Sequence, residues 1–293
     1  MIDLDNKKNA TGLKSRNIYE PNQNADYKIS RSKFDNFRKC KRCFYIDVVK
    51  GFVEPGTPGW ALNTKTGELL KKEFDSYREK QQPHPFFSKV GLENVVPYKN
   101  DNIAKDPDGN VIKHYKTKKP YKIMEAWRTN SKGINIRFKD TNLILYGSVD
   151  DIWQNTETEE LIIVDYKSQG QADSVDPNTY FDIDYHLDYQ RQLNVYAYLL
   201  NNQQGDLKEL KVSKTAYLYV VNARGLEDSF DNKLIFETKL VPVEISDEGI
   251  EDQIQSMLDH MNNVDIPKSN PRCKNCAYSR RRAEFDNEFE HEN

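Results

Sequence analysis

The sequence predicts an α/β fold: a single domain with a mixed central sheet of about five strands and helices on both faces. Three observations lead to this prediction. The chain has 293 residues, of which 37% are hydrophobic and 30% charged, as is typical of a globular protein. Two segments with helical periodicity lie between residues 32 and 77, and strand-like apolar runs alternate with helical patterns from Asn142 onward.

The N-terminal region changes from a polar segment to a helical one. Residues 1–28 are rich in Asn, Asp and Lys and have little apolar periodicity, which predicts a flexible arm. Ser32 and Asp35 have the spacing of a capping box, and the aromatic residues that follow recur at helical spacing. We therefore expect a first helix over about 32–46.

A second amphipathic helix is expected from about Leu62 to Tyr77, ending before Pro83. Residues 83–122 are rich in Pro, Asn and Lys, which predicts long loops, with a short helical piece at about 124–129. These segments separate the N-terminal helices from the strands.

The second half of the chain carries the predicted sheet. Residues 143–153 and 161–167 are two strand-like runs joined by a polar turn, which predicts a hairpin. Later elements are a helix over 186–202, strands at 215–221 and 234–243, a helix near 250–261 and a charged tail at 279–293.

The predicted hairpin brings acidic residues together. Side chains alternate along a strand, so Asp165 and Lys167 share one face. If the turn lies near residues 157–158, Asp150 lies opposite Asp165. Two carboxylates at this position favour a bound Mg²⁺ or Mn²⁺, because these hard cations prefer oxygen ligands. The alternative is a surface ion pair of Asp and Lys.

The motifs around this hairpin resemble a known family. Gly147-Ser148-Val149-Asp150, Asp165-Tyr166-Lys167 and Gln192 to Tyr196 follow the G-x-x-D, D-x-K and Q-x-x-x-Y series of PD-(D/E)XK nucleases in the RecB-like branch. That branch includes CRISPR-adaptation and RecB-type nucleases with a four-cysteine cluster. The resemblance extends to Phe37–Tyr45 and the C-terminal cysteines, and it implies a nuclease-like domain over 29–278 with a restriction-endonuclease-like core.

The resemblance also implies roles for individual residues. Asp150 and Asp165 are expected to ligate the divalent metal, and Lys167 to orient the attacking water and stabilise charge on the phosphate. Gln192 and Tyr196 lie four residues apart, hence on one helical face, and are expected to hold the nucleic-acid strand or the catalytic lysine. Many relatives have a histidine ligand where this chain has Gly67, which predicts one protein ligand fewer.

Four cysteines form two Cys-x-x-Cys pairs, Cys40 with Cys43 and Cys273 with Cys276. In a reducing cytoplasm, the location we expect for a chain without a secretory signal pattern, such spacings point to a metal rather than a disulfide. Four thiolates suit zinc or a [4Fe–4S] cluster, and such a site would join the N- and C-terminal segments of the domain. The resemblance favours the cluster, zinc stays open, and four unconnected thiols are the remaining alternative.

Charge is unevenly distributed along the chain. The net charge of −3 speaks against a strongly basic nucleic-acid-binding domain, yet residues 113–139 hold nine basic residues and one acidic residue. With interleaved aromatic residues, this stretch predicts a nucleic-acid track. The contact residues we expect are Lys116, Lys118, Lys119, Lys122 and Arg128.

These observations lead to a metal-dependent DNA nuclease in repair, recombination or defence. Without a Walker phosphate loop, helicase activity would have to come from a partner protein. One alternative is a catalytically weak or inactive nuclease-fold protein that binds DNA or acts as a scaffold. Another is a zinc-containing protein that binds a protein partner. No apolar run reaches the roughly 18 residues of a membrane span, so no membrane association is expected.

Overall fold

The computed structural model describes residues 12–56 and 59–290, which divide into two compact units. The first unit comprises residues 12–56, 141–143 and 252–290. The second comprises residues 59–140 and 144–251. No helix among the described residues is long and apolar enough to cross a membrane.

The first unit contains β1 (Tyr27–Ser30), α1 (Arg31–Lys39), α2 (Lys41–Val48), most of α7 (Ile250–Asn262) and α8 (Lys274–Glu290). The prediction of one helix over 32–46 was wrong. Cys40 has the extended dihedrals φ −158° and ψ 105°, which end α1 and let α2 start in a new direction. The cap residue is Ser30 rather than Ser32, and Ser30 accepts a hydrogen bond from the Lys33 N–H at 3.3 Å.

Part of the predicted arm and part of the predicted tail have defined structure. Of the arm predicted over 1–28, residues 1–11 lie outside the described residues, while Tyr19 is buried and donates a hydrogen bond to Asn262 Oδ1 at 2.7 Å. The segment predicted as a charged tail at 279–293 continues α8 as far as Glu290, and the last three residues lie outside the described part. Local composition did not reveal these elements.

The second unit contains the helices α3 (Ala61–Lys80), α4 (Pro85–Lys89), α5 (Ile123–Trp127) and α6 (Leu187–Asn201). The ends of α3 and α6 lie close to their predicted positions. In contrast, α4 and β2 (Val95–Pro97) lie in a region where only loops were expected. Phe87 and Val95 explain the difference, because both are buried in the core between α3 and the sheet.

A five-stranded sheet forms the centre of this unit, in the order β2–β5–β6–β7–β8. Its remaining strands are β5 (Asp151–Asn155), β6 (Leu161–Gln169), β7 (Thr215–Ala223) and β8 (Phe236–Glu244). β6 and β7 are parallel and the other neighbours antiparallel, which confirms the predicted mixed sheet of five strands.

The strand predicted over 143–153 is in fact two strands. β4 (Leu143–Gly147) pairs with β3 (Ile134–Arg137), whereas β5 pairs with β6. The chain leaves the first pairing at Ser148 and enters the second at Asp151. Asp150 therefore lies in the connection, where its side chain is free of the regular strand alternation.

Helices cover the two faces of the sheet. The ring of Phe74 on α3 lies 5.4 Å from that of Trp153 and 5.6 Å from that of Tyr219. Gln192 on α6 reaches the other face, where Asp165 projects. The sheet with helices on both faces confirms the predicted fold class.

A buried ion pair joins α3 to the sheet. Arg78 is 4% exposed and pairs with Asp151, which is fully buried at the start of β5. The Tyr166 hydroxyl donates a hydrogen bond to the other Asp151 oxygen at 2.9 Å. Burial and the negative Asp151 raise the pKa of Tyr166, so the hydroxyl keeps its proton and remains a donor.

We expect Arg78→Met to destabilise the protein strongly, because it leaves the Asp151 carboxylate buried without its cation. Removing one partner of a buried ion pair costs about 3–5 kcal/mol, and urea unfolding should show a loss of that size. The double variant Arg78→Met/Asp151→Leu should lose less than Arg78→Met alone, and the exposed control Lys80→Met should change little. A loss of under about 1 kcal/mol for Arg78→Met would contradict a structural role for this pair.

Candidate active site and four-cysteine site

The β5–β6 hairpin places the predicted acidic residues next to each other. Asp151 pairs with Val164, so the preceding residue, Asp150, lies opposite Asp165, as the predicted turn position required. The Tyr166 N–H donates a hydrogen bond to Asp150 Oδ2 at 3.0 Å. The main chain of β6 therefore orients the Asp150 carboxylate toward the neighbouring strand.

Each of these two carboxylates contacts a lysine. Lys167 lies two residues after Asp165, on the same face of β6, and forms an ion pair with it. Both side chains are largely buried. Lys71 on α3 lies 3.0 Å from Asp150 Oδ1. The two acids and the two lysines together carry no net charge.

Helix α6 adds a polar face over Asp165. Gln192 Nε2 donates to Asp165 Oδ1 at 2.6 Å, and Gln192 Oε1 accepts from Lys167 Nζ at 3.2 Å. The amide also donates to the Tyr196 hydroxyl at 3.0 Å. The four-residue spacing predicted on the sequence thus places Gln192 and Tyr196 in one hydrogen-bonded chain with Asp165.

The structure explains the glycine at position 147, three residues before Asp150. A Cβ atom at Gly147 would lie 2.8 Å from the ring carbon Cε1 of Tyr196, which is closer than van der Waals contact allows. A larger residue would push Tyr196 away from Gln192. Gly147 therefore allows the ring of Tyr196 on α6 to pack directly against β4.

Aromatic rings support Lys167 on its remaining side. The Lys167 ammonium lies 4.2 Å from the centre of the Tyr189 ring, within the range of a cation–π contact. Tyr189 stacks on His186 at 5.4 Å, and His186 stacks on Tyr180 at 4.0 Å. Asp165, Gln192 and Tyr189 together fix the lysine head group.

The Arg78–Asp151 pair belongs to a larger network below the site. Arg78 Nε lies 3.0 Å from Asp75 Oδ1, and Arg128 binds both oxygens of Asp75, at 2.5 and 3.2 Å. Burial of Asp75 opposes its ionisation, but the hydrogen bonds and charges of the two arginines lower its pKa. The network fixes the register of α3 against β5.

The same helix places Gly67 beside the site. Asn63 donates to the Ser168 carbonyl at 3.2 Å, just after Lys167, and Lys71 reaches Asp150 two helical turns later. Gly67 lies midway on that face, and a Cβ there would meet no atom within 4 Å. The structure thus leaves open space where the resemblance places a histidine in many relatives.

The donor set fits Mg²⁺ or Mn²⁺. Asp150 and Asp165 offer hard carboxylate oxygens, and the described residues bring no third acidic or histidine side chain close enough to complete a group of three. Mg²⁺ often binds through one or two carboxylates and keeps several waters, so two acids suffice.

The predicted nucleic-acid residues fall into two groups. Lys116, Lys118, Lys119 and Lys122 are exposed on the segment 103–122, which we name the basic arm. Short backbone pairings such as Lys113 with Pro120 shape this arm, and Tyr115 is 70% exposed at its tip. Arg128, by contrast, is largely buried against Asp75, so we leave it out of the proposed contact set.

The four cysteines meet in the first unit. Cys40 Sγ lies 3.7 Å from Cys276 Sγ, and Cys43 Sγ lies 3.5 Å from Cys273 Sγ and 3.3 Å from Cys276 Sγ. All four sulfur atoms lie within 4.8 Å of one another. Residues from both ends of the chain thus form one cluster, which confirms the predicted joining of the N- and C-terminal segments.

Four thiols this close together could hold a metal ion. Burial opposes ionisation of Cys40, but hydrogen bonds from the backbone of Cys43 and Asn270 and from neighbouring thiols lower its pKa to about 7. Cys40 therefore ionises before Cys43 and Cys276, because burial raises the pKa of both of those thiols. A cavity of about 330 Å³ with Lys14, Lys33 and Lys39 among its lining residues opens beside the cysteines.

Sequence reasoning missed Lys71, Asp151 and Tyr189. Lys71 lies four residues after Gly67, so helical spacing from that position could have suggested it. Asp151 follows Asp150, and strand alternation could have indicated that it faces the core. No local pattern distinguishes Tyr189 from the other tyrosines of α6.

Comparison with known proteins agrees with this geometry. A family model of the PD-(D/E)XK nuclease superfamily matches residues 28–281, which is most of the chain. No curated protein matches the sequence significantly. Because this match covers well over half of its residues, the chain belongs to the PD-(D/E)XK nuclease superfamily.

Proposed function

We propose that this protein is a divalent-metal-dependent nuclease of the RecB-like branch that hydrolyses phosphodiester bonds in DNA. The observation that carries the proposal is the pairing of Asp150 and Asp165 beside Lys167 and Gln192. Its cellular role would be repair, recombination or defence, and a helicase is a fitting partner because the sequence has no Walker phosphate loop of its own.

Each residue has a defined part in this proposal. Asp150 and Asp165 hold Mg²⁺ or Mn²⁺, which supplies Lewis-acid chemistry at the phosphate. The Tyr166 N–H and the Gln192 amide keep the two carboxylates oriented. Lys167 orients the attacking water and stabilises the negative charge that develops on the phosphate oxygens.

We expect Asp165→Asn and Lys167→Met each to lower the cleavage rate by a factor of about 100 or more, because each removes a charge that acts in the transition state. The assay follows cleavage of labelled single-stranded and duplex DNA with Mg²⁺ or Mn²⁺. Chelation of the metal should stop cleavage by the wild type.

The matched control is Glu157→Gln in the exposed turn of the same hairpin, which should leave the rate unchanged. If the double variant Asp165→Asn/Lys167→Met cleaves DNA as fast as the wild type with every metal, the nuclease proposal is wrong.

A second candidate is a nuclease-fold protein with weak or no turnover that binds DNA or acts as a scaffold. Gly67 favours it, because this position on α3 offers no side chain and the described residues supply no third acidic or histidine ligand. This candidate predicts salt-sensitive DNA binding without cleavage in the same assay.

The basic arm is the proposed DNA contact. Substituting Lys116, Lys118 and Lys119 with Ala removes three exposed charges, and each phosphate contact contributes about 0.7–0.9 to the salt slope of binding. We expect weaker binding and a slope shallower by about 2 to 3, measured by fluorescence anisotropy over a salt series. Replacing the exposed Lys208, Lys211 and Lys214 is the control, and equal effects in both triple variants would contradict a dedicated contact.

The four cysteines are proposed to hold a metal centre. The resemblance supports a [4Fe–4S] cluster. Three sulfur–sulfur distances of 3.3–3.7 Å, with all four sulfurs within 4.8 Å, are compatible with a single Zn²⁺, since bonds of about 2.3 Å in a tetrahedral site place the sulfurs about 3.8 Å apart.

Anaerobic purification followed by iron, sulfide and zinc analysis distinguishes the two metals. Absorbance near 400 nm with stoichiometric iron identifies the cluster, and colourless protein with one zinc per chain identifies the single ion.

Cys40→Ser should lose the metal and lower the Tm, because metal binding contributes to folding. The exposed Ser279→Ala is the control. Metal-free wild-type protein would contradict the proposal.

A further inference from the structure

We propose that Lys71 is a second catalytic lysine, which contacts the phosphate undergoing hydrolysis from α3, while Lys167 contacts it from β6. This inference rests on the proposed nuclease function. Lys71 projects from α3 and its ammonium lies 3.0 Å from Asp150 Oδ1, while Lys167 projects from β6 and pairs with Asp165. Two lysines on separate elements thus approach the two acids.

The contact with Asp150 is not needed to hold α3 in place. Lys71 and Asp150 are 27% and 31% exposed, and solvent that reaches both partners weakens an ion pair. The buried Arg78–Asp151 pair, two turns further along the same helix, already anchors α3. Lys71 is therefore available for another role.

Charge balance indicates what that role is. Two carboxylates and two lysines sum to zero, so a divalent cation at the carboxylates leaves the site with two positive charges. A phosphodiester carries one negative charge. Attack by water increases the negative charge on the phosphate oxygens as the transition state forms. A site with two surplus positive charges stabilises that state more than the ground state.

The helix surface next to Lys71 is uncrowded. Gly67 lies one turn before Lys71 on the same helical face, and a Cβ there would meet no atom of another part of the protein within 4 Å. A lysine side chain has enough rotatable bonds to move its ammonium from Asp150 toward a nearby anion without moving the helix.

The other lysines on this part of α3 do not share the position. Lys72 is exposed and lies about 100° around the helix from Lys71. Lys65 pairs with Glu68 and is 72% exposed. Lys72 is therefore a matched control, adjacent in sequence and equal in charge.

In the reaction, the water oxygen forms a bond to phosphorus and the bond from phosphorus to the leaving sugar oxygen breaks. The leaving oxygen takes up a proton, and the attacking water releases one to solvent. Lys71 neither gains nor loses a proton overall, because its ammonium donates a hydrogen bond to a non-bridging phosphate oxygen whose charge increases. Its contribution is electrostatic.

The test compares Lys71→Met, Lys71→Arg and Lys72→Met. At saturating Mn²⁺ and DNA, Lys71→Met should lower kcat about 100-fold, while Lys71→Arg should retain activity within about tenfold because it keeps a cation. Lys72→Met should match the wild type. A wild-type kcat for Lys71→Met, or a higher one, would overturn the proposal, and a higher one would mean that Lys71 only competes with the metal for Asp150.

Two further measurements do not depend on turnover. Binding of a single-stranded oligonucleotide in Ca²⁺ should weaken several-fold in Lys71→Met and remain unchanged in Lys72→Met. Mn²⁺ should bind Lys71→Met at least as tightly as the wild type, because a competing cation has been removed from Asp150. Failure of the wild type to cleave DNA would count against the proposed function, whereas unchanged DNA affinity in Lys71→Met would count against the contact itself.

Discussion

The buried pair of Arg78 and Asp151 is the constraint on which the geometry of the site depends. Asp151 and Tyr166 face the core side of the hairpin, and strand alternation then turns Asp165 and Lys167 to the other face. Because Arg78 also fixes α3, Lys71 is held beside Asp150. The buried Arg78–Asp151 pair between α3 and the sheet thus determines where the charged side chains of the site lie.

Paired charges also explain why such an acidic site is stable. Two carboxylates this close would repel each other, yet each has a lysine partner and a hydrogen bond from an amide donor. The arrangement is neutral by itself and becomes positive when a divalent cation is added. This property connects the proposed metal chemistry with binding of a polyanion, and the whole-chain charge of −3 gives no indication of it.

The four-cysteine site is a separate constraint within the first unit. Cys40 interrupts what would otherwise be a continuous helix, and its extended backbone lets Cys40 and Cys43 both approach Cys276. Joining residues more than 200 positions apart closes a very long loop. The broken helix and the cluster are therefore one feature, because the break at Cys40 brings its sulfur close to that of Cys276.

The sequence by itself determined the fold class, the hairpin register and the pairing of Asp150 with Asp165, because these follow from periodicity and spacing within short segments. Strand alternation likewise indicated that Asp165 and Lys167 share a face. The RecB-like branch and the functional roles of these residues stay predictions. Only the tertiary structure decided that β4 leaves the hairpin strand, that Cys40 ends a helix, that Arg128 is buried against Asp75 and that Lys71 reaches Asp150. Each of these features depends on contacts between residues distant in sequence, and such contacts override local propensity.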